Sequence, residues 1–263
     1  MSEKNEIYYY KISLQYVGTR YYGWQVQDGV PTIQGQLNKV LMEMVKSEEI
    51  KTMGSGRTDA GVHAFMQIVK LSLPIKIPPM GLLRGLNSLL PPDIRVTEAS
   101  ESNYDFHPIY HCREKEYNYV FSNKAVTPFA APYLTSYLFP LDIDILQDAA
   151  RIFEGTHDFK NFYCVGTEIE STSRTIFECR IDQFREEGFL KNFCSEYFVL
   201  KIVGNGFLKQ MVRAIMGAIF SVARGKNTLD ELKLALDGPK NLHKIGSVAP
   251  PEGLYLVKAK YSN

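Results

Sequence analysis

Apolar residues along this chain keep two different periods in turn, and that alternation limits the folds open to it more than any other feature. Tyr8, Tyr10, Ile12, Leu14 and Tyr16 recur at every second position with Tyr9, Lys11, Ser13 and Gln15 between them, as on a strand with one covered face. Ile33, Leu37, Val40, Leu41 and Met44 then follow helical spacing after Pro31, a residue suited to starting a helix. A short strand near Lys51 follows. Next come a strand from His63 to Leu73, ended by Pro74, Pro78 and Pro79, and a strand from Ile94 to Ala99 behind the Pro91-Pro92 break. Residues 1–105 thus read as one α/β unit.

The mixture repeats over residues 106–263. Tyr117, Tyr119 and Phe121 alternate with Glu116, Asn118 and Val120, and Asp142 can cap a helix whose apolar positions are Ile143, Leu146, Ala150 and Phe153. Strands are expected over Thr175 to Phe184 and Cys194 to Val203, and a long helix over Phe207 to Val222. Thr228 with Glu231 forms a capping box for a last helix, Gly238-Pro239 stops it, and Leu254 to Ala259 suits a closing strand. With no Gly- or Ser-rich linker between the halves, the expectation is an α/β (α+β) fold. Its sheets should be more mixed and antiparallel than in a doubly wound fold.

Composition places this pattern in an ordinary globular protein: 263 residues, 45% hydrophobic and 22% charged, can bury a core. Thirty Lys and Arg against 29 Asp and Glu give a net charge of +1, which excludes bulk polybasic character. The charges are nevertheless segregated. From Ile50 to Pro92 the only acid is Asp59, against Lys51, Arg57, Lys70, Lys76 and Arg84; Gly204 to Leu229 has none, against Lys209, Arg213, Arg224 and Lys226. Brought together, such stretches make a cationic surface for a polyanion; apart, they are solvated charges. The first residues lack the apolar run of a secretory signal, and no stretch approaches a membrane span, so a soluble, cytoplasmic protein is expected. Cys112, Cys164, Cys179 and Cys194 form no CxxC pair and read as reduced thiols.

The densest unusual stretch is Gly54-Ser55-Gly56-Arg57-Thr58-Asp59-Ala60-Gly61-Val62-His63-Ala64. Three glycines suit a loop that presents a side chain, and Asp59, the lone acid among cations, is placed to act as a nucleophile or base. An Asp that merely caps a turn has the same local sequence. Neither Gly54-x-Gly56 nor Gly204-x-Gly206 reproduces a P-loop or a dinucleotide fingerprint. His107 and His111 are four apart, but Pro108 stands where a zinc helix needs Glu, and His157-Asp158 is a further metal candidate. Lys209, Arg213 and Gly217 are expected on one helical face, with the small residue leaving room beside the cation. Singly, Arg213 reads equally as a snorkelling surface arginine, and Tyr117 as a sheet-face aromatic.

Taken together, Gly56-Arg57-Thr58-Asp59-Ala60-Gly61-Val62-His63-Ala64 resembles the signature of the TruA-type tRNA pseudouridine synthases. The likeness extends through Val17-Gly18-Thr19-Arg20-Tyr21-Tyr22-Gly23-Trp24-Gln25, Thr32-Ile33-Gln34, Leu86 to Pro91, Lys115 to Tyr119, His157-Asp158-Phe159, Gly204 to Arg213 and Pro250 to Leu256. The resemblance implies two RRM-like (ferredoxin-like) halves, 1–105 with the catalytic Asp loop and 106–263 with the base-contacting tyrosine and the arginine, and an active-site cleft between them. It implies Asp59 as the catalytic aspartate, Arg213 as its arginine partner, Tyr117 beside the target base, Leu254 lining the pocket and Arg57 helping to hold a flipped nucleotide.

The implied reaction isomerises uridine. It breaks the C1′–N1 bond, turns the bound uracil, joins C5 to C1′ and removes the C5 proton, with no cofactor and no metal. Asp59 either attacks C1′ or takes the 2′ proton. The implied partner is tRNA, bound by a homodimer and modified at positions 38, 39 and 40 of the anticodon stem-loop, with the base flipped from its stack. Two departures from the family pattern are visible, Val17 in Tyr16-Val17-Gly18-Thr19 and Pro108-Ile109 after Phe106-His107. The second removes an arginine that contacts RNA, for which Arg113 or Lys115 can substitute. Competing readings are a noncatalytic tRNA-binding protein on the same scaffold and a metal-dependent phosphohydrolase at His157-Asp158.

Overall fold

The computed structural model describes residues 6–164, 170–239 and 245–262. They form two compact units, Met1–Arg113 with Leu256–Asn263, and Glu114–Tyr255. Residues 106–113 thus fall with the first unit rather than the second, and the last strand returns to the first.

In the first unit β1 (Tyr8–Tyr16), α1 (Ile33–Val45), β2 (Lys51–Gly54), β3 (His63–Leu73), α2 (Pro79–Leu89) and β4 (Ile94–Glu101) follow one another. The strands pair in the order β4-β1-β3 with β2 also on β3, and β1 with β3, β1 with β4 and β2 with β3 are all antiparallel. This is a βαββαβ arrangement of the ferredoxin-like kind. The final strand, β10 (Leu254–Tyr261), also lies beside β3. The alternation read in β1 largely matches its burial: Tyr10, Ile12, Leu14 and Tyr16 are covered, together with Ile33, Leu37 and Leu41 of α1, but Tyr8 is part-exposed and Ser13 between the covered positions is buried as well. Thr32 caps α1 by accepting the Gly35 N–H at 3.2 Å. Helix α2 was not anticipated, because Pro78 and Pro79 read as breakers. Pro79 is instead the first helical residue, where a missing N–H costs nothing, and Leu82 and Leu86 are fully buried.

The second unit again sets helices among antiparallel strands, in a different order. It contains most of β5 (Cys112–Ser122), then the short β6 (Thr135–Ser136), α3 (Ile143–Arg151), β7 (Gly155–Asp158), β8 (Ser173–Arg185), β9 (Glu196–Gly204), α4 (Met211–Ala223) and α5 (Leu229–Asp237). Strands run β5-β9-β8-β7, antiparallel throughout, with β6 parallel to β5. Asp142 caps α3 through the Asp144 and Ile145 amides, and the Thr228–Glu231 capping box is present in full. Helix α4 starts four residues later than the pattern suggested. Gln210 is in a left-handed conformation at φ +60°, so Lys209 lies outside the helix, while Arg213 and Gly217 share its face as expected. Among the described residues no helix is long and apolar enough to cross a membrane.

Candidate active site

The Asp59 loop joins β2 to β3 and is held by the segment just after β1. Thr58 is buried, its Oγ1 2.8 Å from the Tyr16 hydroxyl, and its carbonyl accepts the Trp24 N–H at 3.0 Å. The Gly61 N–H donates to Tyr21 O at 3.2 Å, and the Val62 N–H to Asp59 O at 3.2 Å. From the other side, buried Gln67 of β3 donates through Nε2 to Gly56 O at 2.6 Å and pairs with the Ser55 hydroxyl at 2.7 Å. Buried His63 accepts the Gly18 N–H on Nδ1 at 3.1 Å, which places any hydrogen of a neutral ring on Nε2. Within this anchored frame Asp59 is part-exposed and Arg57 exposed.

Two glycines explain the closeness of that bracket. A Cβ on Gly18 would stand 2.0 Å from Val62 O, and one on Gly23, whose φ is +90°, 2.6 Å from Thr58 O. Only a residue without a side chain lets the two backbones meet there. Asp93, before β4, fixes the same segment by accepting from Arg20 at 2.9 Å and from the Tyr21 hydroxyl at 2.7 Å. Burial, then the Asp93 carboxylate, pushes the Tyr21 hydroxyl well above the ordinary tyrosine range.

In the second unit Arg213, on the first turn of α4, is clasped by the strap of residues 246–250. Its Nε donates to Ala249 O at 2.8 Å, and its own carbonyl accepts the Ala249 N–H at 3.0 Å. The strap lies this close because Gly217 and Gly246 face each other: their Cβ atoms would stand 1.7 Å from Ser247 O and 2.3 Å from Gly217 O. The room expected beside Arg213 is therefore filled by the chain's own backbone. The strap continues to Pro250, whose carbonyl accepts the Tyr119 hydroxyl at 2.9 Å, and to buried Leu254. Tyr119 also meets Thr135 Oγ1 at 2.8 Å. Burial pushes its hydroxyl up, with Glu252 and Arg213 near enough to act on it in opposite senses. Tyr117, two residues earlier on β5, is buried edge-on to Phe207 at 5.1 Å.

A model of the tRNA pseudouridine synthase family matches residues 12–111 and 149–262. The chain is 37% identical over 254 residues to tRNA pseudouridine synthase A of Geobacillus sp. (strain WCH70), covering 96% of this chain and 98% of that one. It is 36% identical over 253 residues to tRNA pseudouridine synthase A of Anoxybacillus flavithermus, with 96% and 98% covered. The same name belongs to a Limosilactobacillus fermentum protein, 35% identical over 257 residues, with 97% and 96% covered. This chain belongs to the tRNA pseudouridine synthase family.

A tRNA pseudouridine synthase is an isomerase of tRNA modification, as the resemblance implied. The other candidate residues are occupied otherwise. His107 Nδ1 accepts the Ile109 and Tyr110 amides at 3.2 and 3.1 Å, closing a turn rather than facing a metal. His157 Nε2 lies 2.8 Å from Glu154 O, and Asp158 is held by Lys160 and Thr172. Among the described residues no group of three His, Cys, Asp or Glu side chains is placed to hold a metal ion. Sequence reasoning missed the bracing of the synthase's Asp loop by Gly18, Gly23, His63 and Gln67. The signal was present in the two glycines of the block from Val17 to Gln25, but nothing local says which backbone they admit.

Proposed function

We propose that this synthase uses Asp59 as its catalytic carboxylate, with Arg213, Tyr117, Leu254 and Arg57 in the substrate site, to convert uridines 38, 39 and 40 of the tRNA anticodon stem-loop to pseudouridine. The observation that carries the reading is the Asp59 loop itself. Thr58 before Asp59 and Val62 after it are buried and tied by hydrogen bonds, and Asp59 between them is part-exposed. An anchored carboxylate suits either attack on C1′ or removal of the 2′ proton, both of which need a fixed distance to the ribose. Arg213 has its Nε committed to Ala249, which fixes the plane of the guanidinium that a charged group would meet.

The choice of uridines and the homodimer rest on the family resemblance. Division of labour follows the two halves, the first supplying the Asp loop and the second the tyrosine and arginine. The test is tritium release from tRNA labelled at uridine C5, comparing wild type with Asp59→Asn. We expect release by the wild type and none by the variant, with tRNA binding kept. Turnover by Asp59→Asn would overturn the assignment, and mapping of the modified uridines checks the positions.

A further inference from the structure

The C-terminal end of α4 holds a cationic cavity that the proposed reaction does not use. It has a volume of about 140 Å³, against roughly 30 Å³ for a water in the liquid, and is lined in part by Tyr137, Ser221, Arg224, Lys226 and Ser247. Among the described residues no Asp or Glu lines it. The Arg224 guanidinium lies 3.5 Å from the ring centre of Phe139 and 6.0 Å from that of Tyr137, which is itself stacked on Phe220 at 3.8 Å. Gly217 and the strap residues Gly246, Ala249 and Pro250 line the cavity's other side, so it adjoins the strap that clasps Arg213, while Arg224 and Lys226 lie beyond the end of α4.

Cations at a helix C-terminus ordinarily serve the unpaired carbonyls there. Here three of the last four carbonyls are already satisfied. Phe220 O accepts the Arg224 N–H at 3.1 Å and the Tyr137 hydroxyl at 3.2 Å; Ser221 O accepts the Lys226 N–H at 3.0 Å; Val222 O accepts the Gly225 N–H at 2.8 Å. Neither side chain forms an ion pair with a described residue. The nearest acids in sequence are engaged: Glu231 accepts the Thr228 N–H at 2.7 Å, and Asp230 lies 3.5 Å from Lys233. An arginine held over an aromatic ring can still donate N–H groups to an oxyanion, and Lys226 adds a second charge at the same cavity.

We propose that this cavity binds a phosphate of the RNA backbone, giving the synthase a contact that positions tRNA without reading its sequence. The proposal rests on tRNA being the substrate. Its test measures tRNA affinity against salt for Arg224→Gln, Lys226→Gln and the double variant, each in the Asp59→Asn background. Each single change should flatten the slope of log K against log salt by about one, and the double change by about two. The double variant should also bind about tenfold or more weakly at low salt. Lys233→Gln, on the exposed face of α5, should leave the slope unchanged. With Asp59 restored, the double variant should show raised KM and unaltered kcat.

A double variant that melts like its parent and keeps the parent's affinity and slope overturns the proposal. So does loss of stabilisation by inorganic phosphate with the tRNA slope intact, since the cavity would then be a site for a free anion. If removing the Arg224 stack on Phe139 unfolds the protein, Lys226→Gln alone decides by the same slope. A wild type that binds tRNA but releases no tritium refutes the proposed function and leaves the salt measurement standing.

Discussion

Replacing Gly217 by alanine sets two physical effects against each other. Alanine is the better helix former by about 1 kcal/mol, so on local propensity alone α4 should gain stability. The structure predicts the opposite, because the new Cβ would stand 1.7 Å from Ser247 O and 2.8 Å from its carbonyl carbon. These are backbone atoms, which cannot rotate away, so the strap must lift from the helix. Lifting breaks the Ala249 N–H bond to Arg213 O and the Arg213 Nε bond to Ala249 O. A neutral hydrogen bond contributes about 1 kcal/mol and one from a charged donor about 1.5–3 kcal/mol, together roughly 2–4 kcal/mol. Net of propensity, Gly217→Ala should destabilise by about 1–3 kcal/mol. Urea denaturation measures this directly. Because the guanidinium loses its fixed plane, kcat for pseudouridine formation should fall. A variant as stable as wild type, or more so, with full turnover would show that the strap does not set the arginine.

Gly18→Ala is expected to act on the other unit in the same way, since its Cβ would stand 2.0 Å from Val62 O. It should lower both stability and turnover, and hydrogen exchange should rise at the amides of Gly61 and Val62; unchanged exchange there would refute the bracket. Glu196 is predicted to contribute stability only above the carboxylate range. The Lys124 hydrogen bond, assisted by Arg185 and Gln183, holds its carboxyl below the ordinary value, so the contribution is present at neutral pH and lost as acid protonates the folded form. The stability gap between wild type and Glu196→Gln should therefore be present at pH 7 and close below roughly pH 4; a gap independent of pH would contradict this.

Most of the secondary structure was legible because it is written in neighbouring residues. Period two in β1 and the alternation in β5 are recovered as burial patterns, and the caps Asp142 and Thr228 bond the amides their positions suggest. Helix α2 was missed because Pro79 is compatible with either a stop or a start. The tertiary burial of Leu82 and Leu86 decides between them. The start of α4 was misplaced because the left-handed turn at Gln210 interrupts an apolar pattern that continues through it, with Leu208 buried ahead of the helix.

For the candidate site, the sequence determined which residue types are present and in what order, and that was enough for Asp59, Arg213, Tyr117, Leu254 and Arg57 to be named and for the family to be recognised. Periods, caps and motifs are short-range properties, so a linear reading reaches them. Only the tertiary structure decided what holds these residues. Gly18 meets Val62, Gly217 meets Ser247, His63 receives the amide of Gly18, and Gln67 ties down Gly56. The two glycine contacts and the His63 bond depend on a chain segment arriving from a distant part of the sequence, and the Gln67 bond on how β2 and β3 pair. A glycine states that something approaches closely, but the fold alone says what.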